Sequence, residues 1–264
     1  MKKYILLVGM LLGIISAVDA APQFVKFDKA SADNALLLTG TKDTIRYSPS
    51  DWKGVKMAVA NLRHDLRSVT GSEYAPVVVA TVGKSEIAKK YPKQSKQLNG
   101  KWEQYLIFTD KGQLVILGSD KRGTIYGIYE LSRQIGVSPW YWMADAPIQH
   151  HDQLYILPGT YTDGEPKVKY RGIFINDEWP SFGGWCGNQF GGINSKAYSH
   201  IFELLLRLKA NYFWPAMWGS RFNEDDPKSP QLADDMGIVM GTSHHEPMMR
   251  AHKEYVRRKA EVGP

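Results

Sequence analysis

Three short polar clusters, each set directly behind an apolar run, constrain this chain more than any other feature. They are Asn176-Asp177-Glu178, the tryptophan-rich WPAMW of residues 214–218, and the SHHEP of residues 243–247. The apolar runs before them, 170–175, 211–214 and 238–240, have the length of β-strands. Each cluster therefore falls where a strand ends and a loop begins. Helix-periodic segments lie between the runs, and strands alternating with helices imply a parallel sheet. Carboxylates, tryptophans and paired histidines at successive strand ends are what the mouth of a (β/α) barrel presents, because that fold builds its active site from the loops that follow its strands.

Residues 1–20 read as a cleavable signal peptide. Lys2 and Lys3 supply the positive start, residues 5–18 the apolar run, and Val18 and Ala20 the small residues before a cut at Ala21. A membrane anchor is the alternative, but the run is shorter than the ~20 residues a spanning helix needs. The expected product is periplasmic or secreted and meets no membrane once the signal is gone. Losing the signal lowers the formal charge from +6 to +5. The basic residues form no cluster, which argues against nucleic acid as a partner and leaves room for an acidic substrate. Cys186 is the lone cysteine. It provides no internal disulfide and no cysteine-based metal site, and it reads as a small packing residue. Packing accounts for most of the eight Trp and fourteen Tyr. A surplus suits carbohydrate, since apolar sugar faces stack on aromatic rings.

Residues 21–160 read as one α/β domain. Ser50 is placed as the N-cap of a helix over 52–69, whose Val55, Val59, Leu62, Leu66 and Val69 keep helical spacing before a stop at Gly71. Residues 76–82 form a continuous β-branched run, the pattern of a buried strand. Residues 105–108 and 114–117 are two strands of a hairpin turned at Asp110-Lys111-Gly112. A helix over 125–135 and a strand at 154–157 complete the unit. The GSDKRGTIYG of residues 118–127 superficially suggests a phosphate loop, but it lacks GxxxxGK[ST] and the dinucleotide fingerprint. Close helix–strand packing at Gly123 and Gly127 is the better reading. Residues 161–169 are polar, carry Gly164 and Pro166, and form a linker.

A second unit, residues 170–264, follows. The five glycines within 183–194 predict a long exposed loop. Ser195 is placed as the cap of a helix whose apolar face is Tyr198, Ile201, Phe202, Leu205 and Leu208. A short helix at 231–236 stopped by Gly237, and a helix over 248–260, complete the alternation.

In Asn176-Asp177-Glu178 the two carboxylates are adjacent, so in a strand-like segment they point to opposite sides. The inward one can serve as acid, base or acceptor for a hydroxyl. The plain alternatives are a solvated loop carboxylate and a helix cap. Trp218 lies just past a strand, either as a ligand platform or packed between barrel and loop, whereas Trp214 reads as core. His244, His245 and Glu246 are the most specific cluster, because His and Glu are costly to bury without partners. Zinc is one reading, but consecutive donors on a turn do not give the i, i+4 histidine pair of metalloprotease helices. A histidine donating to a hydroxyl or a carboxylate fits better, so no metal is expected.

YRGIFINDEWP (170–180), LLLRLKANYFWPAMWG (204–219), FNEDDP (222–227) and MGIVMGTSHHEPMMRA (236–251) resemble glycoside hydrolase family 115, the xylan α-1,2-glucuronidases. GSDKRGTIYGIYELSRQIGVSPWYWMADAP (118–147) is similar to the domain before the barrel in the same family. A small α/β domain before a barrel also occurs in families 20, 67 and 84, so the first unit alone does not decide. The resemblance implies an α/β protein: a small N-terminal α/β domain, then the first strands and helices of a truncated (β/α)8 TIM-type barrel. It implies removal of glucuronic acid or 4-O-methylglucuronic acid from glucuronoxylan, with inversion and without a cofactor. Inversion needs an acid and a water-activating group ~6.5–9.5 Å apart. The resemblance implies that the general acid is a glutamate on a later barrel strand, and no position here matches it. Asp177 and His245 carry over best, in catalytic roles. Asn176, Glu178, Trp218, His244 and Glu246 carry over around them as substrate-binding residues. The expected partners are glucuronoxylan or its oligosaccharides and, for the full-length enzyme, a second copy in a homodimer. A barrel of this kind closes with eight strands, and about three here would leave open edges. The expectation is thus a fragment of a longer enzyme, itself inactive. A non-catalytic carbohydrate-binding protein is the alternative function.

Overall fold

In chain order the elements are β1 (Val25–Lys26), β2 (Leu36–Leu37), β3 (Arg46–Tyr47), α1 (Lys53–Thr70), β4 (Val77–Thr81), α2 (Pro92–Leu98), β5 (Tyr105–Asp110), β6 (Gln113–Gly118), α3 (Lys121–Gln134), β7 (Tyr155–Ile156) and β8 (Thr160–Tyr161). They continue with β9 (Gly172–Phe174), α4 (Phe182–Phe190), α5 (Ser195–Arg207), β10 (Tyr212–Trp214), α6 (Lys228–Met236), β11 (Val239–Met240) and α7 (His252–Val262). The structure is a computed structural model that describes residues 22–215, 219–241 and 251–262. The signal peptide read at 1–20 lies outside the described residues. Among those described, no helix is long and apolar enough to cross a membrane.

The apolar stripe of α1 packs as its spacing predicts: Val55, Val59, Leu62, Leu66 and Val69 are all buried, and Gly71 closes the helix in a left-handed conformation. The start differs from the sequence reading. Trp52 holds the cap position without a side-chain cap. Ser50 bonds elsewhere, donating its hydroxyl to the Lys84 carbonyl at 3.3 Å. The neighbouring buried Asp51 accepts the Thr81 amide at 3.1 Å and its hydroxyl at 2.7 Å, tying the start of α1 to the end of β4.

β4 lies inside a five-stranded sheet of order β3-β4-β6-β5-β8. It runs parallel to β3 and β6, while β5 pairs antiparallel with β6 and β8. A strand covered on both faces has no reason to alternate. Val77 and Val79 enter the main core with α1 and α3, whereas Val78 and Ala80 enter a smaller core with Tyr91 and Leu98. The β5–β6 turn places Lys111 and Gly112 at positive φ, 46° and 73°, as a tight two-residue hairpin requires. α3 presses on this hairpin through its glycines. A Cβ at Gly127 would lie 2.7 Å from Ile116 Cγ2, and one at Gly123 would strike the Gln104 carbonyl. Asp120 fills the start of α3, accepting from the Gly123 amide at 2.8 Å. β7 joins β1 and β2 in a separate antiparallel sheet. Tyr161, placed in the linker by sequence, instead pairs with Ile107 in β8.

The second sheet has the order β11-β10-β9, with both outer strands parallel to β10. Tyr198, Ile201, Phe202 and Leu205 of α5 are buried. Two readings of this helix are corrected. Asn194, not Ser195, caps it, its side chain accepting the Lys196 and Ala197 amides. Leu208 is exposed, because the helix has already ended at Arg207. The glycine-rich segment is also corrected: it forms helix α4 rather than a loop, and the ring of Trp179 lies along its glycines. α6 starts at Lys228, earlier than expected, and Gly237 closes it.

The two halves are joined by buried charge. Arg207 of α5 donates to both oxygens of Asp65 on α1, at 2.9 and 3.1 Å, with both side chains buried. Glu103 is buried and accepts from Arg122, from Arg171 at 2.6 Å and from Asn211 at 2.7 Å. One apolar cluster runs on from Leu62 and Leu66 of α1 to Phe202 and Phe213.

Candidate active site

Parallel pairing of β9 with β10, Phe174 opposite Trp214, sets the ends of the two strands side by side. Ile175 extends the ladder by donating to the Trp214 carbonyl at 3.3 Å. The chain then turns through Asn176, Asp177 and Glu178. Asp177 is 4% exposed and Glu178 faces solvent. The buried carboxylate has a built environment. Its Oδ2 accepts from the Gly219 amide at 2.5 Å and the Ser220 amide at 2.6 Å, so the loop after β10 closes on the end of β9. Hydrogen bonds to an ionised acceptor are among the stronger ones and fix its orientation. Oδ1 takes no hydrogen bond from the other described residues. Asn176 organises the turn: its Oδ1 accepts the Asp177 amide and its Nδ2 donates to Glu178 Oε1, both at 2.9 Å.

Beneath the turn lies an aromatic floor. Tyr198 packs edge-on against Phe213 and Phe222, and its buried hydroxyl has no hydrogen-bond partner among the described residues. Burial pushes its pKa up, reinforced by Cys186 and Asp177. Cys186 is buried, and burial pushes its thiol up to about 11. It stays protonated and unreactive at neutral pH.

The FNEDDP segment braces the site. Asp226 accepts the Ser195 amide at the start of α5 and the Lys228 amide at the start of α6, at 2.9 and 3.0 Å. Its bonds from Ser195 hold its carboxyl below the usual carboxylate range. Asp225 pairs with Arg221 at 2.8 Å.

Of the residues singled out by sequence, the structure brings Asn176, Asp177 and Glu178 together on one turn. Trp218, His244, His245 and Glu246 lie outside the described residues, and the zinc reading falls with them outside. Sequence reasoning passed over Trp179, which follows Glu178 and is 72% exposed. It also passed over a ring cluster beside the turn. Trp142 stacks on His200 at 3.7 Å and meets Trp185 and Phe190 of α4. Burial lowers the His200 pKa, and Glu203 opposes this. The density of aromatics in residues 140–142 and 179–190 was the available signal.

Residues 163–263 match the model for glycosyl hydrolase family 115, and residues 52–131 match that for the glycosyl hydrolase family 67 N-terminus. No curated protein matches the chain. A solved family GH115 4-O-methyl-α-glucuronidase, BtGH115A, described as specific for decorated arabinogalactans, aligns with a TM-score of 0.74 and 33% identity, over 86% of this chain and 30% of that one. Flavobacterium johnsoniae chitobiase aligns with a TM-score of 0.51 and 16% identity, over 84% of this chain and 33% of that one. A Streptomyces plicatus β-hexosaminidase aligns with a TM-score of 0.51 and 14% identity, over 79% of this chain and 42% of that one. These two share the fold alone. The chain spans less than half the length of each of these solved proteins. The family model over the parallel sheet and the 33% identity across most of the chain agree on glycosyl hydrolase family 115.

Proposed function

We propose that this chain is the N-terminal portion of an exported, inverting α-glucuronidase that removes glucuronic acid or its 4-O-methyl ether from glucuronoxylan. In this reading residues 1–20 are the signal peptide and 21–160 a small α/β domain. Tyr161 ends the last strand of that domain, residues 162–169 link the two units, and 170–264 begin a (β/α)8 barrel. The observation that carries it is the buried carboxylate of Asp177 at the end of a parallel strand, gripped by the loop of the next strand. Strand ends are where such barrels place their chemistry.

Asp177 and His245 act on the sugar, with Asn176, Glu178, Trp218, His244 and Glu246 lining the pocket. The general acid comes from a later barrel strand, so this segment alone turns over no substrate; general acid catalysis contributes ~10²–10⁴-fold. The chemistry uses no cofactor, and the full-length enzyme is a homodimer, to be checked by light scattering. A second reading of the substrate, decorated arabinogalactan, is favoured by the described specificity of the GH115 relative.

The test is incubation of the full-length enzyme with glucuronoxylan and, separately, with decorated arabinogalactan. Released uronic acid is quantified and its first-formed anomer read by NMR. Release from glucuronoxylan with the inverted anomer supports the proposal. Release from arabinogalactan alone moves the substrate. Binding without release from either makes this a carbohydrate-binding protein.

A further inference from the structure

Trp179 is the most exposed large apolar side chain among the described residues, yet its ring is held in place. A Cβ built on Gly183 would meet its Nε1 at 2.6 Å and Cε2 at 2.8 Å. One on Gly184 would meet Cε3 at 3.5 Å, and one on Gly187 would meet Cη2 at 3.3 Å. Atoms from both rings of the indole thus approach one surface of α4. The ring lies flat on the helix, and its other face is open. A Cβ built on Gly183 would also lie 2.9 Å from the Asp177 backbone carbonyl, so one helical turn packs against both the ring and the backbone that carries the buried carboxylate.

The turn that leads into the ring is polar. Asn176 and Glu178 lie on it, joined to each other at 2.9 Å. A fixed, open aromatic face that follows a polar turn matches a pyranose, with an apolar C–H face and hydroxyls around its edge. Resting on the function proposed above, we propose that Trp179 is a stacking platform for a neutral pyranose of the polysaccharide, the unit neighbouring the uronic acid held at Asp177.

The test uses the full-length enzyme and its Trp179→Ala, Trp179→Phe and Gly187→Ala variants, with melting temperatures measured alongside. Each is assayed on a decorated polysaccharide and on a small aryl uronide that has no neighbouring sugar. For Trp179→Ala the polysaccharide kcat/KM should fall about five- to tenfold further than that for the aryl uronide, through KM, the range expected for lost ring stacking. Trp179→Phe should recover most of the loss. Gly187→Ala lifts the ring without deleting it and should give an intermediate loss. Equal losses on both substrates, or a fall in kcat alone, overturn the platform. So does an unchanged polysaccharide KM, the result if another segment of the longer chain covers the ring. Failure of the proposed activity is read separately. If the wild type releases no uronic acid, affinity electrophoresis in polysaccharide gels still decides. Retardation of wild type but not of Trp179→Ala upholds the platform, and equal or absent retardation overturns it.

Discussion

All five residues of β4 are buried, whereas all three residues of β9 are exposed. β4 lies between two strands, with α1 and α3 over one face and a second small core over the other. β9 is an outer strand of its sheet, and Ile173 and Phe174 remain 40% and 44% open. Both are apolar runs, so composition does not separate them. The difference lies in what the chain packs around each. The five-stranded sheet is covered by helices of the same chain, while the parallel sheet is open along β9. The candidate site sits at the end of that open strand, and the buried pairs at Arg207 and Glu103 hold it to the closed half.

The largest expected effect is at the joint. Asp65→Ala removes the bidentate partner of the buried Arg207, which keeps Glu203 at 2.8 Å, and should cost about 3–5 kcal/mol in urea unfolding. A loss below about 1 kcal/mol would mean that the halves are not coupled through this pair. The next pair of variants sets the sheets against each other. Leu62→Ala in the closed half should cost about 2–5 kcal/mol, and Phe174→Ser on β9 should stay within about 0.5 kcal/mol. Equal costs would erase the contrast. In the full-length enzyme, Asp177→Ala should lower kcat/KM at least tenfold, about 1.4 kcal/mol of transition-state stabilisation. Glu178→Ala should cost less, and the reverse order would show that the exposed carboxylate is the working one.

The smallest effect is a pH slope. Burial against Trp142 places the His200 pKa below its ordinary value of about 6.5. The fold therefore favours the neutral ring. Its stabilising share is complete above about pH 6.5 and is lost as the pH falls toward the lowered value. Thermal melts between pH 7.5 and 5 should show a shallower acid decline for His200→Gln. An unchanged slope would place the acid sensitivity elsewhere.

Much of this was legible from residue pattern. Helical spacing marks α1 and α5, the β-branched run marks β4, and Lys111-Gly112 marks the hairpin. What escaped was decided by contacts distant in sequence. Residue pattern alone predicts a loop at α4, because each glycine costs a helix up to about 1 kcal/mol. Its bare face instead accommodates the indole of Trp179, a gain no propensity scale contains. Ser50 was a sound cap on local grounds, but its hydroxyl turns to Lys84. β7 pairs with β1 more than a hundred residues away, Val25 opposite Ile156, and nothing local announces that partner. At the site, strand alternation placed the two carboxylates on opposite sides, but only the folded loop shows that Gly219 and Ser220 hold Asp177.

The contrast between the sheets is read most directly by amide hydrogen exchange on this chain. The account predicts that amides in Val77–Thr81 and Gln113–Gly118 exchange slowest, near the rate of global unfolding, and that those in Gly172–Phe174 exchange fastest of the strands. Protection of Gly172–Phe174 equal to that of Val77–Thr81 would contradict it, because β9 would then be as closed as β4.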